Sequence, residues 1–441
     1  MRPWEKTEIN ERGNMTFAGC DLVELAKEYG TPLYVLDEQA VRKVCRGFVG
    51  CFERTGAKGR VYYASKALST AAIYKIAAQE GLGADVVSGG ELYTALSAGF
   101  PAENIELHGN NKTLPEIEMA LRAGVHALVV DSHEEIGLID SAAASLGVTA
   151  CVSLRVKPGV EAHTHEYVMT GIDDCKFGLG IDDGEALRAV REIASCKNLK
   201  LVGLHCHIGS QIFELEPFLI AADRMVEFAA SVREACGIAV EEINMGGGYG
   251  IMYTEADAPM EPYDYLEQLL TRLLARCKEA GLDGMRFAVE PGRSIVGEAG
   301  LTLYTVGTVK HIPNVRTYVS VDGGMGDNPR QILYGSLYTA RLANKPNEPV
   351  VESVAVAGRF CESGDILIKE APLPRCEAGD TLAVFSTGAY NYAMASNYNR
   401  VPIPAMVLCR EGESALIVRR QTYEQLVEND LVAPWLEDDK A

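Results

Sequence analysis

Short apolar runs recur between about residues 60 and 300: Val61–Ser65, Ala84–Val87, Ile105–His108, Ala127–Asp131, Ala150–Val156, Leu201–His207, Val240–Met245 and Phe287–Glu290. Between them, stretches such as Leu92–Ala98, Leu114–Ala123 and Tyr263–Ala280 space their apolar residues with helical periodicity. The pattern predicts strands alternating with helices, which is the signature of parallel βαβ units in an α/β fold. Eight strands favour a closed (β/α)8, TIM-like barrel, in which every strand is buried on both faces. An open doubly wound sheet is the alternative.

Past residue 301 the texture changes. LTLYTVGTVKHI, VRTYVSVDGG, PVVESVAVAGRF, DILIKE, DTLAVFS and ALIVRR are strand-like runs broken by Gly, Pro, Asn and Asp, with little helical spacing before Tyr423–Val427. This half reads as a second, mainly β domain. PLYVLD (Pro32–Asp37), ahead of the barrel pattern, is a candidate extra strand of that domain. The chain therefore divides into an N-terminal segment (1–40), a barrel (41–300) and a C-terminal β domain (301–441). A length of 441 residues fits two cores better than one.

Composition narrows the partners. A net charge of −20 repels phosphate backbones and anionic membrane surfaces, so neither nucleic acid nor membrane is expected. Twelve cysteines lie scattered without a CxxC pair or zinc-ligand spacing, which suggests reduced thiols. The N-terminal stretch is charged and lacks an apolar signal core, and no apolar run is long enough to span a bilayer. A cytoplasmic location follows. His205-Cys206-His207 looks like a metal cluster, but adjacent side chains on a strand point to opposite faces and cannot share one ion; no metal is expected.

Barrel enzymes place their chemistry at the C-terminal strand ends, and here those ends are polar. Lys66 closes the first, Asp85 and Ser88 the second, HGNNK (His108–Lys112) the third and Arg155 the fifth. His207 and Ser210 follow the sixth, Gly246-Gly247-Gly248 the seventh, and Glu290 with Arg293 the eighth. Taken alone, a lysine after a strand is a solvated loop cation. Burial, however, strips an ammonium of hydration and lowers its pKa, so a lysine at the mouth of a core is ion-paired or serves as a nucleophile toward a carbonyl. Consecutive glycines between strand and helix expose backbone N–H groups that hold a phosphate, with Ser210 and Arg293 near enough in the barrel order to help. A lysine, a phosphate cradle and a buried carboxylate on one rim fit pyridoxal phosphate: an aldehyde for Lys66, a phosphate for the glycines, a ring nitrogen for Glu290.

The motifs are those of a family. YYASKAL around Lys66, DVVSGGEL, HGNNK, AHTHEYVMTG (Ala162–Gly171), KFG, GLHCHIGSQ, GGGYG, EPGRS, DNPRQILYG, GRFCESGD and GAYNYAMASNYN closely resemble diaminopimelate decarboxylases, from about Pro32 to Asn399. HGNNK and the AHTHEY run separate this resemblance from ornithine or arginine decarboxylases. Small departures at Gly323, Asn391 and Tyr392 remove no functional residue.

The resemblance implies roles. Lys66 would bond the cofactor aldehyde and later move protons, Glu290 would pair with the pyridine nitrogen, and His207 would stack on the ring. Asp85, Ser210, Gly247, Gly248, Gly292, Arg293 and Tyr390 complete the implied cofactor site. Arg330, with Arg293 and Tyr334, would grip the distal carboxylate, Glu362 the distal ammonium, and Tyr390 would touch cofactor and substrate alike. Cys361 would protonate the carbon that loses CO2. The implied reaction is conversion of meso-2,6-diaminopimelate to L-lysine and CO2, the last step of lysine biosynthesis, in a homodimer with shared active sites. A relative acting on another amino acid, an alanine-racemase-like enzyme and a catalytically silent homologue are the competing readings.

Overall fold

The computed structural model describes residues 2–160 and 175–436. The AHTHEYVMTG run lies outside them. All eight predicted strands are present: Gly59–Ala64, Gly83–Val86, Ile105–Leu107, Ala127–Val130, Ala150–Lys157, Leu199–His205, Glu242–Asn244 and Arg286–Val289. They pair in parallel in chain order, and the eighth returns to the first through Phe287↔Gly59 and Val289↔Val61, which closes the barrel. A two-residue strand, Leu179–Gly180, adds to the edge of the fifth. The open-sheet alternative is excluded by that closure.

Local sequence sets the helices between the strands. Ser88 caps Gly89–Ser97 by accepting the Glu91 N–H at 3.2 Å. Thr113 and Glu116 form a reciprocal capping box on Leu114–Ala123, which Gly124 ends at φ 74°. Their apolar faces, with Ile117, Ala120, Leu92 and Ala95 fully buried, cover the outside of the barrel.

The β domain is built on one long strand, Gly300–Ile312, which pairs antiparallel with Arg316–Val321, Thr381–Phe385 and Leu33–Asp37. Leu33–Asp37, the predicted extra strand, sits centrally: it also pairs in parallel with Ala405–Arg410. From there Asp37 caps the 18-residue helix Glu38–Thr55, which leads into the barrel. The first and eighth barrel elements are thus tied to one sheet, and the β domain overhangs the C-terminal strand ends. Two short elements interrupt the β texture at that overhang, the helix Arg330–Tyr334 and the 3-10 turn Tyr392–Met394.

Candidate active site

A cavity of about 410 Å³ opens at the C-terminal strand ends beneath the β domain. Lys66, Asp85, His207, Ser210, Gly247, Gly248, Glu290, Gly292, Arg293, Arg330, Tyr334 and Tyr390 all line it. Of the candidate catalytic, cofactor-binding and substrate-binding residues, Cys361 and Glu362 do not.

Lys66 sits in a single 3-10 turn, Ser65–Ala67, after the first strand. The turn is pinned by the Ser65 hydroxyl, which reaches the Asp85 carbonyl and the Glu91 carboxylate, each at 2.8 Å. The Lys66 side chain is exposed and lines the cavity. Burial alone would lower its pKa, as the sequence reading expects. Asp85, Tyr390 and Glu290 more than offset that, and the ammonium is held above its ordinary value. Asp85 is 1% exposed and its Oδ1 lacks a hydrogen-bond partner. Burial pushes its carboxyl up, against the pull of His108 and Lys66.

Glu290 is anchored from three sides. His205 Nε2 lies 3.0 Å from Oε2, Asn244 Nδ2 donates to Oε1 at 2.8 Å, and His108 Nε2 approaches Oε1 at 3.0 Å. Burial would raise its pKa; His205 and His108 outweigh it and hold the carboxyl well below the usual range. His108 bears the matching charge. Burial opposes protonation there too, yet Asp85 and Glu290 raise it to about 10. His205, dominated by burial, falls to about 4 and stays neutral.

His207 flanks the same space. Its Nδ1 accepts the Gly247 N–H at 3.2 Å, so the other ring nitrogen carries the proton, and burial followed by Lys66 and Arg155 drives its pKa well below 6.5. His205 and His207 both line the cavity, while Cys206 between them is buried in the barrel core.

The glycine turn leaves no room for side chains. A Cβ on Gly247 would lie 2.2 Å from the Glu290 carbonyl oxygen, and one on Gly248, at φ +117°, would lie 2.5 Å from that of Gly209. Gly292 lets the eighth strand's loop pass the first strand, where a Cβ would meet the Ala64 oxygen at 2.7 Å. Above the turn, Arg293 donates to the Ser210 hydroxyl at 2.9 Å and to the Tyr253 hydroxyl at 2.5 Å, and its guanidinium carbon is 4.8 Å from the centre of the Tyr390 ring. Arg330 lies over the Tyr334 ring at 5.0 Å and the Tyr390 ring at 5.3 Å. Each arginine is 7% exposed, and among the described residues neither has a carboxylate partner. Two buried guanidiniums without counter-ions, beside a backbone cradle, describe a site for anionic groups. Tyr390, at φ 62°, donates its N–H to the Ala67 carbonyl at 2.8 Å, which ties the β domain to the Lys66 turn.

Cys361 and Glu362 are exposed on the β domain. Their loop is nevertheless braced: Asn399 accepts the Cys361 N–H at 2.7 Å, and Phe360 stacks on Tyr398.

Some strand-end residues do other work. Ser88 is a helix cap. Lys112 turns away from the cavity into a buried ion pair with Glu135 at 2.9 Å and also donates to the carbonyls of Gly109 and Val129. Cavity residues to which the resemblance assigns no role include His108, His205, Asn110, Phe177 and Arg155, whose guanidinium stacks on Phe177 at 4.4 Å. Their signal was a polar residue closing an apolar run.

A lysine, a cradle that any Cβ would fill, two unpaired guanidiniums and an anchored carboxylate on one rim fit a pyridoxal-phosphate enzyme. The pyridoxal-binding-domain model of pyridoxal-dependent decarboxylases matches residues 39–297. The diaminopimelate decarboxylase of Bacillus methanolicus is 47% identical over 94% of this chain and 96% of its own length, and that of Bacillus subtilis 46% over 96% of each. The crystal structure of M. jannaschii diaminopimelate decarboxylase in complex with L-lysine is 36% identical, superimposes with a TM-score of 0.92, and matches 99% of this chain and 100% of that one. The chain belongs to the diaminopimelate decarboxylase family of pyridoxal-dependent decarboxylases.

Proposed function

We infer that this protein decarboxylates meso-diaminopimelate to L-lysine and CO2 with pyridoxal phosphate. The reading is carried by the pair Arg293 and Arg330, buried cations with no carboxylate partner among the described residues, their guanidinium carbons 4.8 and 5.3 Å from the Tyr390 ring centre. One answers to a phosphate, the other to a substrate carboxylate.

The bound cofactor supplies an electron sink for the pair left when a carboxylate departs as CO2. Lys66 would hold the cofactor through its amine and, when free of it, would move protons at the reacting carbon. Asp85 stands beside the amine and balances its charge. Glu290, kept anionic by His108 and His205, would hold the proton on the ring nitrogen, because so acidic a carboxyl does not compete for it. His207, which lines the cavity, would lie against the ring. Ser210, Gly247, Gly248 and Arg293 would hold the phosphate, Gly292 keeps that wall close, and Tyr390 would touch both cofactor and substrate.

Arg330, with Tyr334, takes the distal carboxylate, a bidentate task for which a planar guanidinium is suited. Glu362 takes the distal ammonium and Cys361 delivers a proton to the carbon that has lost CO2. Because both lie outside this chain's own cavity, a second copy supplies them, and the working unit is a homodimer with shared sites. No described helix is long and apolar enough to cross a membrane. With the acidic charge and scattered thiols, that supports a cytoplasmic enzyme without nucleic-acid partners.

A substrate panel tests the reading. Loaded with pyridoxal phosphate, the protein releases CO2 from meso-diaminopimelate and far less from ornithine, arginine or lysine. Preference for one of the latter would overturn the assignment of Arg330 and Glu362.

A further inference from the structure

Asn244 ends the seventh barrel strand below the cavity floor and is 1% exposed. Its amide is fully engaged. Oδ1 accepts the Gly246 N–H at 3.0 Å, while Nδ2 donates to Glu290 Oε1 at 2.8 Å and to Glu106 Oε2 at 3.0 Å. Glu290 in turn donates its backbone N–H to the Gly246 carbonyl at 2.8 Å. Asn244, Gly246 and Glu290 therefore close a ring of three hydrogen bonds.

That ring joins two parts of the site that the chain order separates. Gly246 opens the glycine turn; at φ +68° a Cβ there would come within 2.5 Å of the Cys206 carbonyl oxygen, so no side chain fits at that point. Glu290 follows the neighbouring eighth strand, 46 residues beyond Asn244 in the chain. Only a carboxamide offers a neutral acceptor and two donors from one short side chain. An aspartate would lose the donors and set a third carboxylate beside Glu106 and Glu290. An apolar residue would strand the Gly246 N–H and strip Glu290 of a partner, each a buried loss.

We propose that Asn244 is a positioning residue that locks the glycine turn and Glu290 into one rigid unit, fixing the separation between the phosphate and ring-nitrogen ends of the cofactor site. This rests on the pyridoxal phosphate reading above. Asn244 does not line the cavity and acts only through Gly246 and Glu290.

The test compares Asn244→Ala and Asn244→Asp with the unaltered protein by three readouts: the dissociation constant of pyridoxal phosphate, the visible absorbance maximum, and the 31P resonance of the bound phosphate. Asn244→Ala should weaken cofactor binding at least about tenfold and move both spectral signals. Asn244→Asp retains an acceptor for Gly246, so its 31P signal should stay close to that of the unaltered protein while the visible maximum shifts. Binding within about twofold and unaltered spectra in both variants would overturn the inference. If the alanine variant does not fold, the aspartate variant decides alone: an unmoved visible maximum overturns the inference. An unaltered protein that takes up no pyridoxal phosphate would overturn the cofactor reading itself, and this inference with it.

Discussion

Asp365 accepts the Met325 N–H at 2.7 Å with one carboxylate oxygen, while the other accepts the Phe360 N–H at 2.8 Å. Met325 leads into the helix that carries Arg330, and Phe360 precedes Cys361 and Glu362. One carboxylate thus braces the segment serving this chain's own cavity against the loop assigned to its partner's. Asp365→Ala removes two charge-assisted hydrogen bonds and should destabilise the fold by on the order of 3 kcal/mol. Below the melting range it should depress kcat at least about tenfold with little change in cofactor affinity. Thermal melts with cofactor titrations check this; loss of cofactor affinity in step with kcat would count against a bracing role.

Arg330 should be intolerant of conservative change. Arg330→Lys keeps the charge but loses the fork, and Arg330→Ala leaves a carboxylate of the substrate unpaired, at roughly 2–5 kcal/mol. Steady-state kinetics should show the loss in kcat/KM for meso-diaminopimelate, with the visible spectrum of the bound cofactor preserved. Near-normal kcat/KM in Arg330→Lys would remove the bidentate role.

Shared sites predict complementation. Lys66→Ala and Cys361→Ala should each be inactive alone. Mixed, they should form hybrids in which one site draws the intact Lys66 from one copy and the intact Cys361 from the other, restoring up to about a quarter of normal activity. Mixtures that stay inactive despite proven subunit exchange, or full activity in a sedimenting monomer, would refute the shared arrangement.

Asp327 should leave a signature in the pH dependence of stability. Burial pushes its carboxyl up to about 7, against hydrogen bonds from Tyr304 at 2.5 Å and Gly324 at 2.8 Å. An unfolded aspartate releases its proton near 3.9, so between those values the folded state binds more protons. The stability it contributes is complete below about pH 4 and declines as pH rises through about 7. Asp327→Asn can satisfy both partners without ionising, so its melting temperature should fall less than that of the unaltered protein between pH 5 and 8. Parallel curves would contradict the raised value.

The barrel could be read from sequence because parallel strands covered on both faces become unbroken apolar runs, as at Val61–Ala64 and Ala127–Val130. Leu33–Asp37 was visible as a strand, but its neighbours, Gly300–Leu303 and Ala405–Cys409, lie hundreds of residues away and carry no local mark. Strand-end polarity located the rim without sorting its members. Lys66 and Lys112 look alike in sequence, yet Glu135 takes Lys112 out of the cavity. Asn244 and His205 lie inside the barrel, where a polar residue in an apolar run gives no hint of its partner. Cys361 and Glu362 were legible only through family resemblance, since both are exposed and lie outside the cavity.

Reduction with borohydride gives the most direct test of the central claim, that Lys66, the glycine turn and Glu290 face one cofactor. The protein loaded with pyridoxal phosphate is reduced, digested and mapped by mass spectrometry. A single pyridoxyl-phosphate label on the peptide carrying Lys66 is the predicted result. A label on another lysine, or none in a protein that nonetheless forms lysine from meso-diaminopimelate, would contradict it.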